Sequence, residues 1–343
     1  MSKINAALVG YGMSGREFHL PALMNNSSYH LKLVQTRSEK NRNDLKALCP
    51  DVKIVSDYEE ILADEEIDLV VITAPNDVHY SYTKDALLRG KHVVCEKPFV
   101  ERHEEALELF KLAEEKNLIL RVFHNRKYDG DILTLKDLMK KRDFGKIVSF
   151  STRFSRYRPE IGDNWRFKKT VMGGLFYDLA PHLVHHTVSL FGLPEAVFLN
   201  LFYEREGSVV DDHFELIMYY PTLTAFVGAD MFERELRPRL HLIGTKGSYI
   251  KYDFDYPDSV NVKPENIYQE TNLRSVFKTS TDEEENIPLL KGKHYRFYEL
   301  LANHIANGIT EDEDKDLALA VILTMEKAME SYQTKRIVNI KER

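Results

Sequence analysis

Short apolar runs and longer amphipathic stretches alternate along the first 122 residues. The apolar runs predict strands at Ile4–Val9, Leu31–Thr36, Lys53–Val55, Asp68–Thr73, His92–Val94 and Leu118–Phe123. Helical spacing marks the intervals near Arg16–Asn25, Glu39–Leu48, Tyr58–Ala63, Tyr80–Arg89 and Glu104–Lys116. Apolar strands separated by helices read as repeated βαβ units around a parallel sheet. Six such strands fit a doubly wound Rossmann unit, and residues 1–123 are assigned to it as a dinucleotide-binding domain.

The texture changes after Phe123. A helix near Ile132–Lys140 and a strand at Lys146–Phe154 are followed by the polar loop Ser155–Thr170 and a helix near Leu175–Leu190. Runs at Ala196–Tyr203, His213–Tyr220, Leu223–Met231, Arg239–Ile243 and Ser248–Tyr252 then succeed one another without helices, which predicts a large, open, mostly antiparallel sheet. Segment 255–290, with acids at Asp282–Glu285, reads as a surface excursion. Two helices, His294–Asn307 and Lys315–Tyr332, follow; the acids of Glu311–Asp314 complement the dipole of the second. Residues 124–343 are thus expected to form an α+β domain for substrate binding and oligomerisation.

With 343 residues and 43% hydrophobic composition, the chain can bury two ordinary cores without disulfide or metal staples. A net charge of −7 offers no general attraction to nucleic acid or an anionic membrane. Cys49 and Cys95 are the only cysteines, which suits a reducing compartment. No apolar run is long enough to span a bilayer, and Ile4–Val9 leads straight into glycines rather than a cleavage site. A cytoplasmic location is expected.

Gly10-Tyr11-Gly12-Met13-Ser14-Gly15 fits G-x-G-x-x-G between a strand and a helix, the context that gives this motif meaning. Gly10 permits the turn, Gly12 lets a pyrophosphate approach the backbone, and Gly15 lets helix and strand pack. A glycine-rich turn without ligand is the plainer alternative. The second strand ends in Gln35-Thr36-Arg37-Ser38, without the carboxylate that would bond a ribose 2′-hydroxyl. Arg37 with the Thr36 and Ser38 hydroxyls suits a 2′-phosphate instead, so NADP is preferred over NAD, unless Arg37 is simply solvated.

Lys97, in Cys95-Glu96-Lys97-Pro98, follows the fifth strand and so belongs to the carboxyl edge where ligands bind in such sheets. Asp178 and His182, in Gly173-Gly174-Leu175-Phe176-Tyr177-Asp178-Leu179-Ala180-Pro181-His182, share one helical face and can form an acid–base pair. Each has a bland reading: a surface cation, a helix cap, a packed histidine.

Together these residues resemble the Gfo/Idh/MocA family of oxidoreductases, which includes inositol and sugar dehydrogenases. The resemblance also takes in Ala74–Tyr80, Gly90–Pro98, His124–Asp131 and Gly244–Ser248. Tyr157-Arg158-Pro159 and Asn164-Trp165-Arg166 look like a subgroup containing NADP-dependent scyllo-inositol dehydrogenases. The resemblance implies catalysis by Lys97, Asp178 and His182 beside the nicotinamide. It implies cofactor contacts from Gly10, Gly12, Met13, Ser14, Gly15, Thr36, Arg37, Ser38, Thr73, Ala74, Asn76, His79, Glu96, Lys97, Trp165 and Arg166. His124, Tyr157 and His185 are weaker candidates for touching a polyol or sugar. Ala180 and His185 depart from the family pattern, which has Gly and Asp there.

The expected protein is an NADP-preferring or NAD-using dehydrogenase of a cyclic polyol or sugar, assembled as a homodimer or homotetramer, with no metal. Three competitors remain: reduction of another carbonyl or imine, a cofactor-sensing protein without chemistry, and hydrolysis at a metal held by Asp178, His182 and His186.

Overall fold

The computed structural model describes residues 3–161, 167–235, 237–252, 274–309 and 313–340. Its described residues fall into two compact units. One holds the chain through Asn125 together with Lys293–Asp316; the other holds Arg126 to Gly292 and everything from Leu317 on.

The first unit is built on six parallel strands, β1 (Ile4–Val9), β2 (Tyr29–Gln35), β3 (Lys53–Val55), β4 (Leu69–Ile72), β5 (His92–Cys95) and β6 (Leu120–Val122). Their order is β3-β2-β1-β4-β5-β6, the doubly wound arrangement expected from the alternating pattern. Every side chain of β4 is fully buried, as a strand covered on both faces requires. Val9, Ile72 and Cys95 lie level across β1, β4 and β5, so the residues that follow them share one edge. The helix after β1 opens with a π turn, Gly15–His19, before α1 (Leu20–Met24). Pro21, which has no N–H to continue the ladder, sits just after that widened turn. Helices α2 (Glu39–Leu48), α3 (Tyr58–Leu62), α4 (His79–Leu88) and α5 (His103–Glu115) complete the alternation.

The second unit begins with α6 (Gly130–Lys141), β7 (Ile147–Arg153) and the long α7 (Gly174–Phe191). Strands β8 (Ala196–Phe202), β9 (His213–Tyr219), β10 (Thr224–Ala229), β11 (Leu240–Gly244) and β12 (Gly247–Lys251) follow. The segment expected to be a surface loop instead contributes a hairpin, β13 (Ser275–Thr279) and β14 (Glu284–Asn286), to the sheet edge. Val276 and Phe277 are buried there, while all of β14 is exposed, so its acids masked a strand whose backbone is satisfied by β13. Residues 253–273 of that segment lie outside the described residues.

The chain then returns to the first unit with α8 (Arg296–Asn307) and ends in the second with α9 (Glu313–Thr334) and β15 (Val338–Asn339). The second sheet has nine strands, ordered β14-β13-β12-β11-β7-β10-β9-β8-β15. Among the described residues, only the β7–β10 pairing of this sheet is parallel. One face packs on α7 through Phe150, Phe214, Leu216, Val227 and Leu242. No helix among the described residues is long and apolar enough to cross a membrane.

Candidate active site

The glycine turn leaves β1 with Gly10 at φ +91°, a left-handed conformation that glycine adopts without strain. A Cβ on Gly10 would lie 2.8 Å from the Thr73 carbonyl oxygen, and one on Gly15 would lie 2.6 Å from the carbonyl oxygen of Gly10. Those two positions are closed by the protein itself. Gly12 differs: a Cβ there would meet nothing within 4 Å. Its bareness serves no internal packing, and with exposed Met13 it borders an open cradle at a helix N-terminus. That arrangement fits a pyrophosphate. Thr73, at the end of β4, donates its hydroxyl to Gly10 O at 2.8 Å and fixes the turn from the other side.

At the end of β2, Thr36 is buried and its hydroxyl accepts from Ser38 N at 3.3 Å. Ser38 caps α2 by accepting from Asn41 N. Arg37 is left exposed, 3.3 Å from Asp57 after β3, an ion pair of the surface kind that contributes little.

The turns after β4 and β5 are tied together by His79. Its Nδ1 lies 2.8 Å from the Pro98 carbonyl and its Nε2 3.0 Å from the Ala74 carbonyl. Burial lowers its pKa and keeps it neutral, so it donates to one carbonyl at a time. Asn76 is buried at the head of the next short turn. Glu96 is also buried. Its Oε1 accepts the Ser14 hydroxyl and lies 3.0 Å from His19 Nε2, while Oε2 accepts the Lys97 N–H at 3.0 Å. Burial alone would raise the Glu96 pKa. His19, the Lys97 ammonium and Ser14 outweigh it and hold the carboxyl ionised, at about 2. Lys97 itself is half-buried at the carboxyl edge of the sheet, and His124 is buried just past β6.

In the second unit, α7 carries Asp178, half-buried, and His182 and His185, both buried, along its length. Asp211 anchors its start: the Phe176 N–H donates to Asp211 Oδ2 at 2.6 Å and the Leu175 N–H to Asp211 O at 2.9 Å. His186 is committed elsewhere. Its Nε2 lies 3.0 Å from the Arg126 carbonyl and its Nδ1 3.4 Å from Arg239. Burial first, then the Arg239 charge, pushes its pKa well down, so Nε2–H donates and Nδ1 accepts. That occupies the third position of the histidine row. Among the described residues, no three His, Cys, Asp or Glu side chains are grouped to hold a metal. Tyr157 is exposed beside Phe232, with the Arg234 guanidinium 4.1 Å over its ring and bonded to its hydroxyl. Trp165 and Arg166 lie outside the described residues.

Sequence reasoning missed His19, Tyr298 and Asp211. His19 left a trace: it stands four residues after Gly15, on the face of the helix that packs inward. Nothing local marks Tyr298 as its partner.

A family model described as "Oxidoreductase family, NAD-binding Rossmann fold" matches residues 4–124, and one described as "GFO/IDH/MocA C-terminal domain" matches 132–250. The chain is similar to scyllo-inositol 2-dehydrogenase (NADP(+)) IolW of Bacillus subtilis, at 33% identity over 98% of this chain and 95% of that protein. Levoglucosan dehydrogenase of Pseudarthrobacter phenanthrenivorans is 30% identical over 41% of this chain and 37% of its own. Among solved structures, yvaA of Bacillus subtilis superposes with a TM-score of 0.92 at 32% identity, covering 99% of both chains. The glycine turn, the parallel strand order and the family match over both units lead to one assignment: the chain belongs to the Gfo/Idh/MocA family of NAD(P)-binding oxidoreductases.

Proposed function

We propose that the protein is an NADP-preferring dehydrogenase or reductase acting at a hydroxyl-bearing carbon of a cyclic polyol or sugar of inositol size. The observation that carries this reading is the shared edge of the first sheet. The glycine turn after β1, Thr73 after β4 and the half-buried ammonium of Lys97 after β5 follow residues that lie level in register. The similarity to an NADP-dependent inositol dehydrogenase and to levoglucosan dehydrogenase supports the substrate class.

In this reading the backbone of Gly10, Gly12, Met13 and Ser14 takes the pyrophosphate, and Gly15 keeps the helix close. Arg37, with Thr36 and Ser38, takes the adenosine ribose phosphate. Thr73, Ala74, Asn76, His79 and Glu96 border the remainder, and Trp165 and Arg166 are assigned to cofactor binding from the resemblance alone. The bound nicotinamide supplies the hydride-accepting or hydride-donating carbon. Lys97 would donate a hydrogen bond to the substrate oxygen, which becomes negative as its proton is lost in the oxidation direction, or as hydride reaches the carbonyl carbon in the reduction direction, so this bond would stabilise the alkoxide-like charge. His182 takes the hydroxyl proton, and Asp178 orients the imidazole and a neighbouring hydroxyl. His124, Tyr157 and His185 are assigned to contacts with the polyol. The uncovered face of the second sheet is assigned to homodimer or homotetramer formation. The test is a panel of inositols, aldoses and ketoses read by NADPH absorbance, with NADH alongside. Turnover confined to non-hydroxylated carbonyls or imines would overturn the substrate class.

A further inference from the structure

Glu96 is the meeting point of a hydrogen-bond chain whose far end is in α8, some two hundred residues further along the sequence. The Tyr298 hydroxyl lies 2.6 Å from His19 Nδ1, His19 Nε2 lies 3.0 Å from Glu96 Oε1, and the Ser14 hydroxyl reaches that same oxygen. The other carboxylate oxygen holds the Lys97 N–H. All four side chains belong to the first unit. His19 is 0% and Tyr298 1% exposed, so water is not an alternative partner for either. Phe123 packs against the imidazole at a tilt, with ring centroids 4.1 Å apart, and Tyr298 meets it edge-on at 6.0 Å.

The direction of the bonds at Glu96 follows from what each group is able to do. Glu96 is ionised and only accepts. His19 therefore presents Nε2–H to it, and its Nδ1 stands against the Tyr298 hydroxyl, which is able to donate or accept. The bonds converge on Glu96: His19 donates from one side with Tyr298 behind it, and Ser14 donates to the same carboxylate from the other. The Ser14 proton is thereby spent on Glu96, and any phosphate at this helix end is left to backbone N–H groups. One carboxylate thus clamps two pieces of backbone: the first turn of the helix after the glycine loop, and the turn that carries Lys97.

We infer that His19 and Tyr298 are positioning residues that lock the Glu96 carboxylate so that the phosphate-facing helix turn and the Lys97 turn keep a fixed mutual geometry. The inference rests on the reading that the glycine turn holds the cofactor phosphates and that Lys97 faces the reacting end. Neither residue touches cofactor or substrate; both act through Glu96. The lock joins the two ends of the cofactor site, so loosening it weakens binding of the whole dinucleotide rather than of one fragment.

The substitutions separate this role from packing. A glutamine places an amide nitrogen about where Nε2 stands, whereas asparagine reaches only as far as Nδ1. His19→Gln keeps the donor to Glu96, while His19→Asn and His19→Leu lose it. Tyr298→Phe keeps the ring and removes only the hydroxyl. A hydrogen bond to a charged group contributes about 1.5–3 kcal/mol, so His19→Leu and His19→Asn weaken NADPH binding by about tenfold or more. His19→Gln restores it to within about threefold of the parent, and Tyr298→Phe weakens it by about three- to tenfold. In cofactor-free protein, the nitrogen-15 spectrum of His19 shows Nε2 carrying a proton. A bare Nε2 overturns the assigned donation to Glu96. Equal affinity in the asparagine, leucine and glutamine variants, all folded by circular dichroism, overturns the positioning role. Failure of the parent protein to bind either dinucleotide would instead overturn the reading beneath it, and the nitrogen-15 measurement separates the two.

Discussion

The carboxylate of Asp211 occupies the space a side chain on Gly174 would need: a Cβ built there overlaps Asp211 Oδ1, and Gly174 sits at φ +92°. Asp211 accepts the Phe176 N–H from the same turn, so the start of α7, four residues ahead of Asp178, is fixed by this pair. Gly174→Ala must shift either the carboxylate or the helix start, and it also adopts a disfavoured backbone conformation. Strain of this kind costs about 1–3 kcal/mol, expected as a lower urea midpoint with unchanged slope. A midpoint equal to the parent's would show that the turn relaxes freely.

The same carboxyl gives a pH signature. Burial raises the Asp211 pKa from 3.8 to about 7, with adjacent Asp212 adding to the effect against the donation from Phe176. The folded state therefore binds this proton more tightly than the unfolded chain does. Its stabilising contribution is complete below about pH 4 and is lost as pH rises through about 7. Glu96 and Glu215, both held at about 2, act in a lower window, where stability is lost as pH falls. Asp211→Asn keeps an acceptor for Phe176 and removes the titration. The difference in unfolding free energy between parent and variant should change with pH between 4 and 7, in the parent's favour at the acid end. A constant difference would contradict the assignment.

Much of this could be read along the chain, and the pattern of success has a physical cause. Strand β1 and helix α2 fall where periodicity placed them, because a buried strand and an amphipathic helix write their surroundings into local sequence. The β13–β14 hairpin was invisible for the opposite reason: an edge strand of exposed acids needs only backbone partners. Long-range bonds leave still less trace. Ser14 and Glu96 are 82 positions apart, and His19 and Tyr298 are 279 apart. Candidate chemistry-bearing residues stand in local motifs and are visible one at a time. The groups packed against them from distant parts of the chain are not.

The proposed cofactor choice rests on Arg37, which is exposed and pairs with Asp57 at the surface. NADPH should bind more tightly than NADH, and Arg37→Asp should narrow or reverse the ratio by setting a carboxylate against the 2′-phosphate. Fluorescence titration of both cofactors measures it. Equal parent affinities would remove the basis for NADP preference.

The proposed assembly uses the sheet face opposite α7. Phe198, Ile217 and Phe226 lie side by side across β8, β9 and β10, and Phe226 is 42% exposed. A contiguous apolar row of this kind marks an interaction surface. The parent should sediment as a dimer or tetramer at micromolar concentration, and Phe226→Glu should shift it toward monomer. A monomeric parent would count against self-association through this face.

The central claim is that Lys97 and His182 carry the chemistry while the dinucleotide is held elsewhere. Steady-state kinetics of Lys97→Met and His182→Ala on an identified polyol, paired with NADPH titration, test it most directly. Losing a general base typically costs about 10²–10⁴-fold in rate, and losing a donor to a developing oxyanion costs about 10²–10³-fold. Both variants should lose kcat by these factors while NADPH affinity stays within about tenfold of the parent, because the interactions removed belong to the transition state. Near-parent turnover in either variant would contradict the account.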